Sequence, residues 1–171
     1  MQLTHSDTEF SEKKFPIIIL LDGIASPANL GSLFRLADAF NVEKIISCGS
    51  VGIDLGSNRL RRTARATIEK VALEEREEIL EVLTDLQKRN YFTLALEITS
   101  DSIPVESLDY SQFKKVALVL GNERSGINEE VLKKVQQKIH ITMFGRNSSM
   151  NVAQAAGISL FEITKTLPPV L

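Results

Sequence analysis

Three segments of the sequence place polar side chains that could do chemistry directly after a short apolar run. Asn29 and Arg35 follow the first run, Glu123 follows the second, and Ser149 and Asn151 follow the third. A guanidinium group binds phosphate or carboxylate, whereas amide and hydroxyl side chains donate and accept hydrogen bonds. If the apolar runs are parallel strands, their carboxyl ends meet at one edge of a sheet, where open α/β sheets bind ligands. The sequence therefore predicts a ligand site built from all three segments.

Each segment also has a structural interpretation, which the sequence leaves open. Polar residues before a helix serve as its N-cap, and adjacent opposite charges form surface ion pairs. Neither role explains Arg35, which follows an aromatic residue inside an apolar helix pattern. In the first segment, Ser26 or Asn29 could cap a helix, with Pro27 in its first turn. In the second, Glu123 could form an ion pair with Arg124, and in the third, Ser148 or Ser149 could be the cap.

The elements that must position these residues alternate along the chain. Compact apolar runs predict strands at Ile17–Leu21, Lys44–Ser47, Tyr91–Ile98, Val116–Leu120 and Lys138–Met143. Amphipathic patterns predict helices at Leu30–Phe40, Glu74–Lys88 and Met150–Thr166. Strands that alternate with helices predict an α/β fold with a mainly parallel sheet flanked by helices. We expect residues 1–15 to be a tail or leading segment and residues 16–171 to form a single domain.

Two familiar nucleotide-binding motifs are absent from the glycine-containing loops. Gly121 and Gly126 have the spacing of a phosphate-binding loop, but Ile127 and Asn128 follow where Lys and Ser or Thr are needed. The segment 22–27 after the first strand has no G-x-G-x-x-G pattern, so a dinucleotide pyrophosphate has no sequence support. These residues argue against a Walker A site and a nicotinamide enzyme.

A cluster of arginines is the most basic feature of the sequence. If residues 58–66 form a helix, Arg61 and Arg65 lie one turn apart, with Arg62 beside them, in an arrangement suited to phosphate groups. The alternative is a solvated helix face that pairs with the acidic run shortly after it. The cluster consists of Arg59, Arg61, Arg62 and Arg65.

Composition and charge exclude several classes of protein. Of the 171 residues, 43% are hydrophobic and 25% are charged, which is typical of a globular domain. The net charge of -2 means that nucleic acid must be bound by a local patch. Cys48, His5 and His140 cannot assemble a zinc cluster, so we expect no metal. The apolar runs are too short to cross a bilayer, so we expect no membrane association and a cytoplasmic location.

The three polar segments together resemble the three sequence motifs of the SpoU/TrmH family of RNA ribose 2′-O-methyltransferases. The resemblance covers about residues 16–165 and keeps the order of the motifs. It rests on Asn29 with Arg35, on Gly121 with Glu123 and Gly126, and on Ser149 with Asn151. It implies a SPOUT fold, in which a C-terminal trefoil knot forms the S-adenosylmethionine pocket, and a homodimer whose active site draws on both subunits.

The resemblance also implies roles for individual residues. The candidate catalytic set is Asn29, Arg35, Glu123, Ser149 and Asn151. The candidate cofactor-binding set is Leu120, Gly121, Asn122, Gly126, Ile141, Met143, Met150 and Asn151. In this context the four arginines of the cluster become candidate contacts to the RNA backbone.

The implied reaction transfers a methyl group from S-adenosylmethionine to a ribose 2′-hydroxyl of RNA. Arg35 is expected to bind phosphate and stabilise charge on the 2′-oxygen, with Glu123 holding Arg35 or an RNA group in place. We expect tRNA rather than rRNA, because the sequence lacks the large N-terminal extension of many rRNA-directed members. The alternatives are a non-catalytic RNA-binding module on the same fold and a small-molecule methyltransferase.

Overall fold

The structure is a computed structural model that describes residues 12–49, 52–147 and 149–170. Its strands are β1 (Phe15–Asp22), β2 (Val42–Cys48), β3 (Leu73–Arg76), β4 (Phe92–Leu96), β5 (Ile103–Pro104), β6 (Val116–Gly121) and β7 (Gln137–His140). Its α-helices are α1 (Pro27–Ala39), α2 (Asn58–Ala64), α3 (Ile79–Lys88), α4 (Glu129–Lys134) and α5 (Val152–Thr166). Short 3-10 turns cover Arg65–Glu69, Val105–Ser107 and Tyr110–Gln112. Most of the predicted leading segment 1–15 lies outside the described residues.

The strands form one parallel sheet in the order β3-β2-β1-β6-β4-β7-β5. The central strands β1 and β6 are buried on both faces, as their unbroken apolar runs predict. Their carboxyl ends are in register, since Asp22 pairs with both Gly121 and Cys48. Leu96 of β4 pairs with Leu120 and with Ile139 of β7, so β4 and β7 end at the same edge. The predicted α/β fold with a parallel sheet flanked by helices is confirmed.

Apolar helix faces cover both sides of the sheet. On one side, α1 and α5 pack with residues such as Leu33, Phe34 and Leu160, and Leu60 places α2 there too. On the other side, α3 and α4 pack through a second cluster that includes Leu83, Leu86 and Val131. The fold is therefore three layers deep, with the sheet in the middle.

Close approach of α1 and α2 depends on Gly31. A Cβ atom at Gly31 would lie 2.7 Å from Thr63 Cβ and 2.8 Å from the Leu60 carbonyl oxygen, so any larger residue would push the helices apart. This contact places the arginines of α2 beside α1, on the side of the sheet that also carries α5.

Several predicted elements are wrong or have different bounds. The predicted helix 74–88 begins only at Ile79, because residues 73–76 form the edge strand β3 and pair with β2. Within β3, Glu74 accepts a hydrogen bond from Lys44 Nζ at 2.6 Å, and this contact, with a second one from Arg76, lowers the pKa of Glu74. The acidic pattern resembled a helix face because both faces of this edge strand are partly exposed.

The remaining differences concern short elements. The predicted strand 138–143 ends at His140, and β5 and α4 had no clear periodic signal because they are only 2 and 6 residues long. The helix considered for residues 58–66 ends at Ala64, and Arg65 has a φ of 57°. Arg61 and Arg65 therefore do not share a helix face. The C-terminal trefoil knot and the single domain 16–171 stay predictions.

Candidate active site

The loop after β6 folds into a tight turn, the Asn122–Gly126 turn. The backbone N–H of Asn122 donates to the Gly126 carbonyl at 3.0 Å, and the N–H of Gly126 donates back to the Asn122 carbonyl at 2.9 Å. The side-chain Oδ1 of Asn122 accepts from the backbone N–H groups of Arg124 and Ser125, at 2.9 and 3.2 Å. Gly126 adopts a φ of 69°, which glycine tolerates without strain. The turn is thus held internally by backbone and side-chain hydrogen bonds.

Two neighbouring strands hold the same turn from outside. At the end of β1, the Gly23 carbonyl accepts a 2.7 Å hydrogen bond from Asn122 Nδ2, and Asp22 Oδ2 accepts from the N–H of Asn128 at 2.8 Å. At the end of β4, Glu97 Oε2 accepts from the N–H of Ile127 at 3.2 Å. The turn is therefore fixed on both sides of β6.

A chain of side-chain hydrogen bonds, the Asn29 chain, joins the three polar segments. Asn29 Nδ2 donates to Glu123 Oε1 at 2.6 Å, and Asn29 Oδ1 accepts from Asn151 Nδ2 at 2.9 Å. Asn151 Oδ1 in turn accepts from the N–H groups of Ala153 and Gln154, at 2.9 and 3.3 Å, as the N-cap of α5. The predicted meeting of these segments at one sheet edge is confirmed.

The structure resolves the alternatives that the sequence left open. Asn29 lies inside α1 and is not its cap, because Ser26 occupies the N-cap position, without a side-chain cap bond. Among the described residues, Glu123 forms no ion pair with Arg124 or Arg35 and binds Asn29 instead. Ser149 is exposed and is not the cap of α5, which is Asn151. Ser148 lies outside the described residues.

A cavity of about 400 Å³ opens between the carboxyl ends of β4, β6 and β7 and the start of α5. Three predicted catalytic residues line it: Glu123, Ser149 and Asn151. The predicted cofactor-binding residues that line it are Gly121, Asn122, Gly126, Ile141, Met143, Met150 and Asn151. Leu120 does not line the cavity, because its side chain is fully buried in the core.

A shallower groove of about 1100 Å³ lies between α1 and α5. Arg35 is exposed and lines this groove, as does Asn29, whereas neither lines the cavity. Met150 and Asn151 line both. The predicted catalytic set is therefore divided between two adjoining concave surfaces, and the Asn29 chain runs along their boundary.

Sequence reasoning missed several residues that line the cavity. Glu97 at the end of β4 and His140 at the end of β7 are among them, and His140 Nδ1 lies 2.9 Å from Ser102 Oγ. The predicted strands 91–98 and 138–143 run past both residues, so the sequence alone did not place them at the edge where the carboxyl ends of parallel strands meet. The other residues missed are Leu96, Ile98, Arg124, Val152 and Ala155.

The arginine cluster is exposed on α2 and on the turn that follows it. Within the described part of the chain, none of Arg59, Arg61, Arg62 and Arg65 pairs with a carboxylate, so the predicted alternative of a face paired with the acidic run is not seen. Thr63 of the same helix lines the groove together with Arg35. The cluster therefore adjoins the groove.

The described ranges contain neither a metal-binding cluster nor a membrane-spanning helix. No group of at least 3 His, Cys, Asp or Glu side chains there could hold a metal ion. No helix formed by those residues has the length and apolar character that crossing a membrane requires.

Curated relatives resemble this chain over most of its length. The 23S rRNA (guanosine-2'-O-)-methyltransferase RlmB of Haemophilus influenzae is 31% identical over 160 residues, which cover 93% of this chain and 63% of that protein. RlmB of Blochmanniella floridana is 29% identical over 150 residues, covering 88% of this chain and 58% of the relative. The chain thus spans about three fifths of the length of these relatives.

Solved structures share the fold. The A. aeolicus TrmH/SpoU tRNA modifying enzyme has a TM-score of 0.81 and 25% identity, over 90% of this chain and 76% of that one. The AdoMet-bound rRNA methyltransferase from Sinorhizobium meliloti has a TM-score of 0.80 and 25% identity, over 91% and 58% of the two chains.

The family match takes in all of the sheet except Phe15, and all three polar segments, since the SpoU rRNA methylase family matches residues 16–161. The Asn29 chain, the turn after β6 and the start of α5 all lie inside that range. On sequence and architecture together, the chain belongs to the SpoU rRNA methylase family.

Proposed function

We propose that the protein is an RNA methyltransferase that uses S-adenosylmethionine to methylate a ribose 2′-hydroxyl group. The observation that carries the proposal is the Asn29 chain, which places Glu123, Asn29 and Asn151 along the boundary of the cavity and the groove. Membership of the SpoU family supports RNA methylation. The names of the curated relatives specify guanosine 2′-O-methylation, which supports ribose as the acceptor.

The cavity fits the proposed cofactor. Its volume of about 400 Å³ lies within the range of small-molecule sites. Its wall combines apolar side chains, such as Ile141 and Met143, with the Asn122–Gly126 turn, whose backbone is already fixed by hydrogen bonds. S-adenosylmethionine supplies an activated methyl group on a positively charged sulfonium. Leu120 can contribute to this site only through its backbone, because its side chain is buried.

The amide and hydroxyl side chains at the boundary orient the ribose. Asn29 is fixed by Glu123 on one side and Asn151 on the other, so its amide has a defined orientation. Ser149 is exposed at the cavity wall and is available to a ligand. Methyl transfer by in-line displacement forms the bond between the 2′-oxygen and the methyl carbon as the bond from sulfur to that carbon breaks, and the hydroxyl proton passes to water. The step depends mainly on alignment of donor and acceptor, so fixed hydrogen-bonding groups at this place favour it.

Arg35 places a positive charge near the RNA that accepts the methyl group. A guanidinium group offers N–H donors and no acceptor, so Arg35 acts as a hydrogen-bond donor and not as a base. It lies in the groove, exposed, where it can bind an RNA phosphate and stabilise negative charge that develops on the 2′-oxygen. The contact from Glu123 to Arg35 that the sequence suggested is replaced by the contact to Asn29.

The protein is a homodimer in which a second copy covers the groove. Ile158 and Phe161 of α5 are 40% and 55% exposed, and Ile158 lines the groove together with Leu36 and Ala39 of α1. Burial of such apolar side chains favours association. A partner seated there would lie against Arg35, which makes the active site dependent on both subunits.

RNA is bound by the arginine cluster and the groove that adjoins it. The four arginines are exposed and have no acidic partner among the described residues, so their charges are available to phosphates. We expect tRNA as the substrate, in line with the A. aeolicus enzyme, which is described as tRNA-modifying. The competing candidate is 23S rRNA, because the curated relatives are named for it.

Methyl-labelled S-adenosylmethionine tests the proposal directly. The purified protein is incubated with separate pools of unmodified tRNA and rRNA, and the RNA is digested to nucleosides. We expect label in a 2′-O-methyl nucleoside from the tRNA pool, and Arg35→Ala provides the matched inactive control.

Other outcomes have defined meanings. Label only in the rRNA pool would replace tRNA by rRNA and leave the reaction intact. Cofactor binding without label in either pool would favour a small-molecule substrate, and failure to bind the cofactor would favour a non-catalytic RNA-binding module.

A further inference from the structure

Glu97 occupies a distinctive place at the cavity wall. It is the first residue after β4, and its backbone N–H still donates to the Ile139 carbonyl at 3.0 Å. Its side chain is half-buried and lines the cavity. The sheet therefore fixes the position of the Glu97 backbone, and the side chain borders the cavity.

Hydrogen bonds orient the Glu97 carboxylate but leave its charge uncompensated. Oε2 accepts from the N–H of Ile127 at 3.2 Å, and Oε1 accepts from the N–H of Ile98 at 3.1 Å. Gly126 also packs against it, because a Cβ at Gly126 would lie 2.7 Å from Oε2. Within the described residues, no lysine, arginine or histidine forms an ion pair with Glu97.

The other charged residues that line the cavity are more exposed. Glu123 and Arg124 are adjacent, exposed and of opposite sign, so water screens both charges. Glu97 is the half-buried charge of this wall, and a charge at a partly enclosed site acts more strongly on a ligand than one in water. His140 at the same wall is occupied by its contact with Ser102 Oγ.

We propose that Glu97 is a specificity-determining residue that favours the positively charged sulfonium cofactor over the neutral thioether left after methyl transfer. The inference rests on the proposed cofactor. S-adenosylmethionine and S-adenosylhomocysteine carry the same amino and carboxyl groups and differ by one methyl group and one positive charge. A fixed negative charge at the wall therefore attracts the first more than the second and weakens product retention.

Glu97→Gln is the variant that isolates the charge. The amide keeps the size of the side chain and an oxygen that can accept from Ile127, so the turn keeps its contact. Isothermal titration of the full chain measures the affinities of S-adenosylmethionine, S-adenosylhomocysteine and sinefungin, an analogue with a protonated amine in place of the methylsulfonium. We expect the affinity for both cationic ligands to fall about tenfold more than the affinity for S-adenosylhomocysteine.

Two further variants separate charge from structure. Glu106→Gln removes an exposed carboxylate that does not line the cavity and should leave all three affinities unchanged. Glu97→Asp keeps the charge while shortening the side chain, so the ratio between cationic and neutral ligands should stay near that of the wild type even if every affinity falls. If Glu97→Gln fails to fold, the wild-type ratio is the test, because a wild-type protein that binds S-adenosylhomocysteine as tightly as S-adenosylmethionine would overturn the inference.

The outcomes distinguish this inference from the proposed function. An equal change for all three ligands in Glu97→Gln, or no change, would overturn the inference and leave the cofactor proposal intact. The same ratio shift in Glu97→Asp as in Glu97→Gln would also overturn it, because the shift would then come from packing. A wild-type protein that binds none of the three ligands would instead overturn the proposed cofactor.

Discussion

At the residue scale, the side-chain oxygen and nitrogen of Asn151 make different contacts. Its Oδ1 caps α5 by accepting from Ala153 and Gln154, while its Nδ2 donates to Asn29. Asn and Asp are both good N-caps because both offer a side-chain oxygen at this position. Only Asn can also donate. The capping role of this residue and its proposed role in the active site can therefore be separated by substitution.

We predict that Asn151→Asp keeps stability and loses activity. The carboxylate still caps α5, so the melting temperature should stay close to the wild-type value, whereas the Asn29 chain loses its donor and methyl transfer should fall at least about tenfold. Asn151→Ala is the comparison, because it also loses the cap and should be destabilised by about 1 kcal/mol. Thermal unfolding and single-turnover methylation measure both effects. Equal activity of Asn151→Asp and the wild type would rule out a role for the Asn29 contact.

Arg35→Lys tests whether the shape of the guanidinium group matters. Lysine keeps the charge but cannot form two parallel hydrogen bonds to a phosphate, so we expect turnover to fall by about tenfold or more. Affinity for S-adenosylmethionine should not change, because Arg35 lies in the groove and not in the cavity. Arg89→Lys is the matched control, because Arg89 is exposed and lines neither the cavity nor the groove. Turnover near the wild-type level in Arg35→Lys would remove this role from Arg35.

At the scale of elements, the loop after β6 depends on the absence of a side chain at Gly121. A Cβ there would lie 2.4 Å from the Gly126 carbonyl carbon and 2.5 Å from the Ile127 nitrogen, both of them backbone atoms. We predict that Gly121→Ala displaces the Asn122–Gly126 turn, lowers cofactor affinity more than tenfold and destabilises the fold by about 2 kcal/mol.

Gly145→Ala is the control for this prediction, since nothing lies within 4 Å of the added Cβ. Isothermal titration and thermal unfolding compare the two variants. If Gly121→Ala binds the cofactor as tightly as Gly145→Ala does, the turn does not shape the cofactor site.

The short helix α2 can be tested as an RNA-binding element. The double variant Arg61→Ala, Arg62→Ala should weaken RNA binding and reduce the slope of log affinity against log salt by about 1.5, because two phosphate contacts are lost. A matched loss of two charges on the opposite side of the sheet, Lys88→Ala with Lys133→Ala, should leave that slope unchanged. Filter binding across a salt series gives both values, and an unchanged slope in the arginine variant would contradict this role of α2.

At the scale of the whole molecule, the proposed dimer depends on the exposed apolar face of α5. We predict that Ile158→Glu gives a monomer, because it buries a charge against the groove in the proposed dimer. Methylation should be lost while cofactor binding remains, since Ile158 does not line the cavity. Sedimentation velocity at micromolar concentration measures the change. Phe144→Glu, an equivalent change at a side chain that is 96% exposed, is the control. A wild-type monomer that methylates RNA would contradict the dimer.

Local patterns were sufficient for the central strands and the long helices. Unbroken apolar runs predicted β1 and β6 as strands, and periodic apolar faces predicted α1 and α5 as helices. In each of these elements the order of apolar and polar residues matches the side chains that the fold buries. The edge strand β3 was mistaken for a helix, because it is too short and too exposed to show alternation. Elements whose conformation depends on a neighbour, such as β3 against β2, give little local signal.

The sequence by itself determined which residue types meet at the sheet edge, because parallel strands bring their carboxyl ends together whatever the conformation of the loops. Only the tertiary structure decided the partners there. Glu123 binds Asn29 and not Arg35, Asn151 caps α5, and Glu97 faces the cavity. Residues 94 and 122 positions apart form these contacts, and such pairings follow from how the loops pack, which no local pattern records.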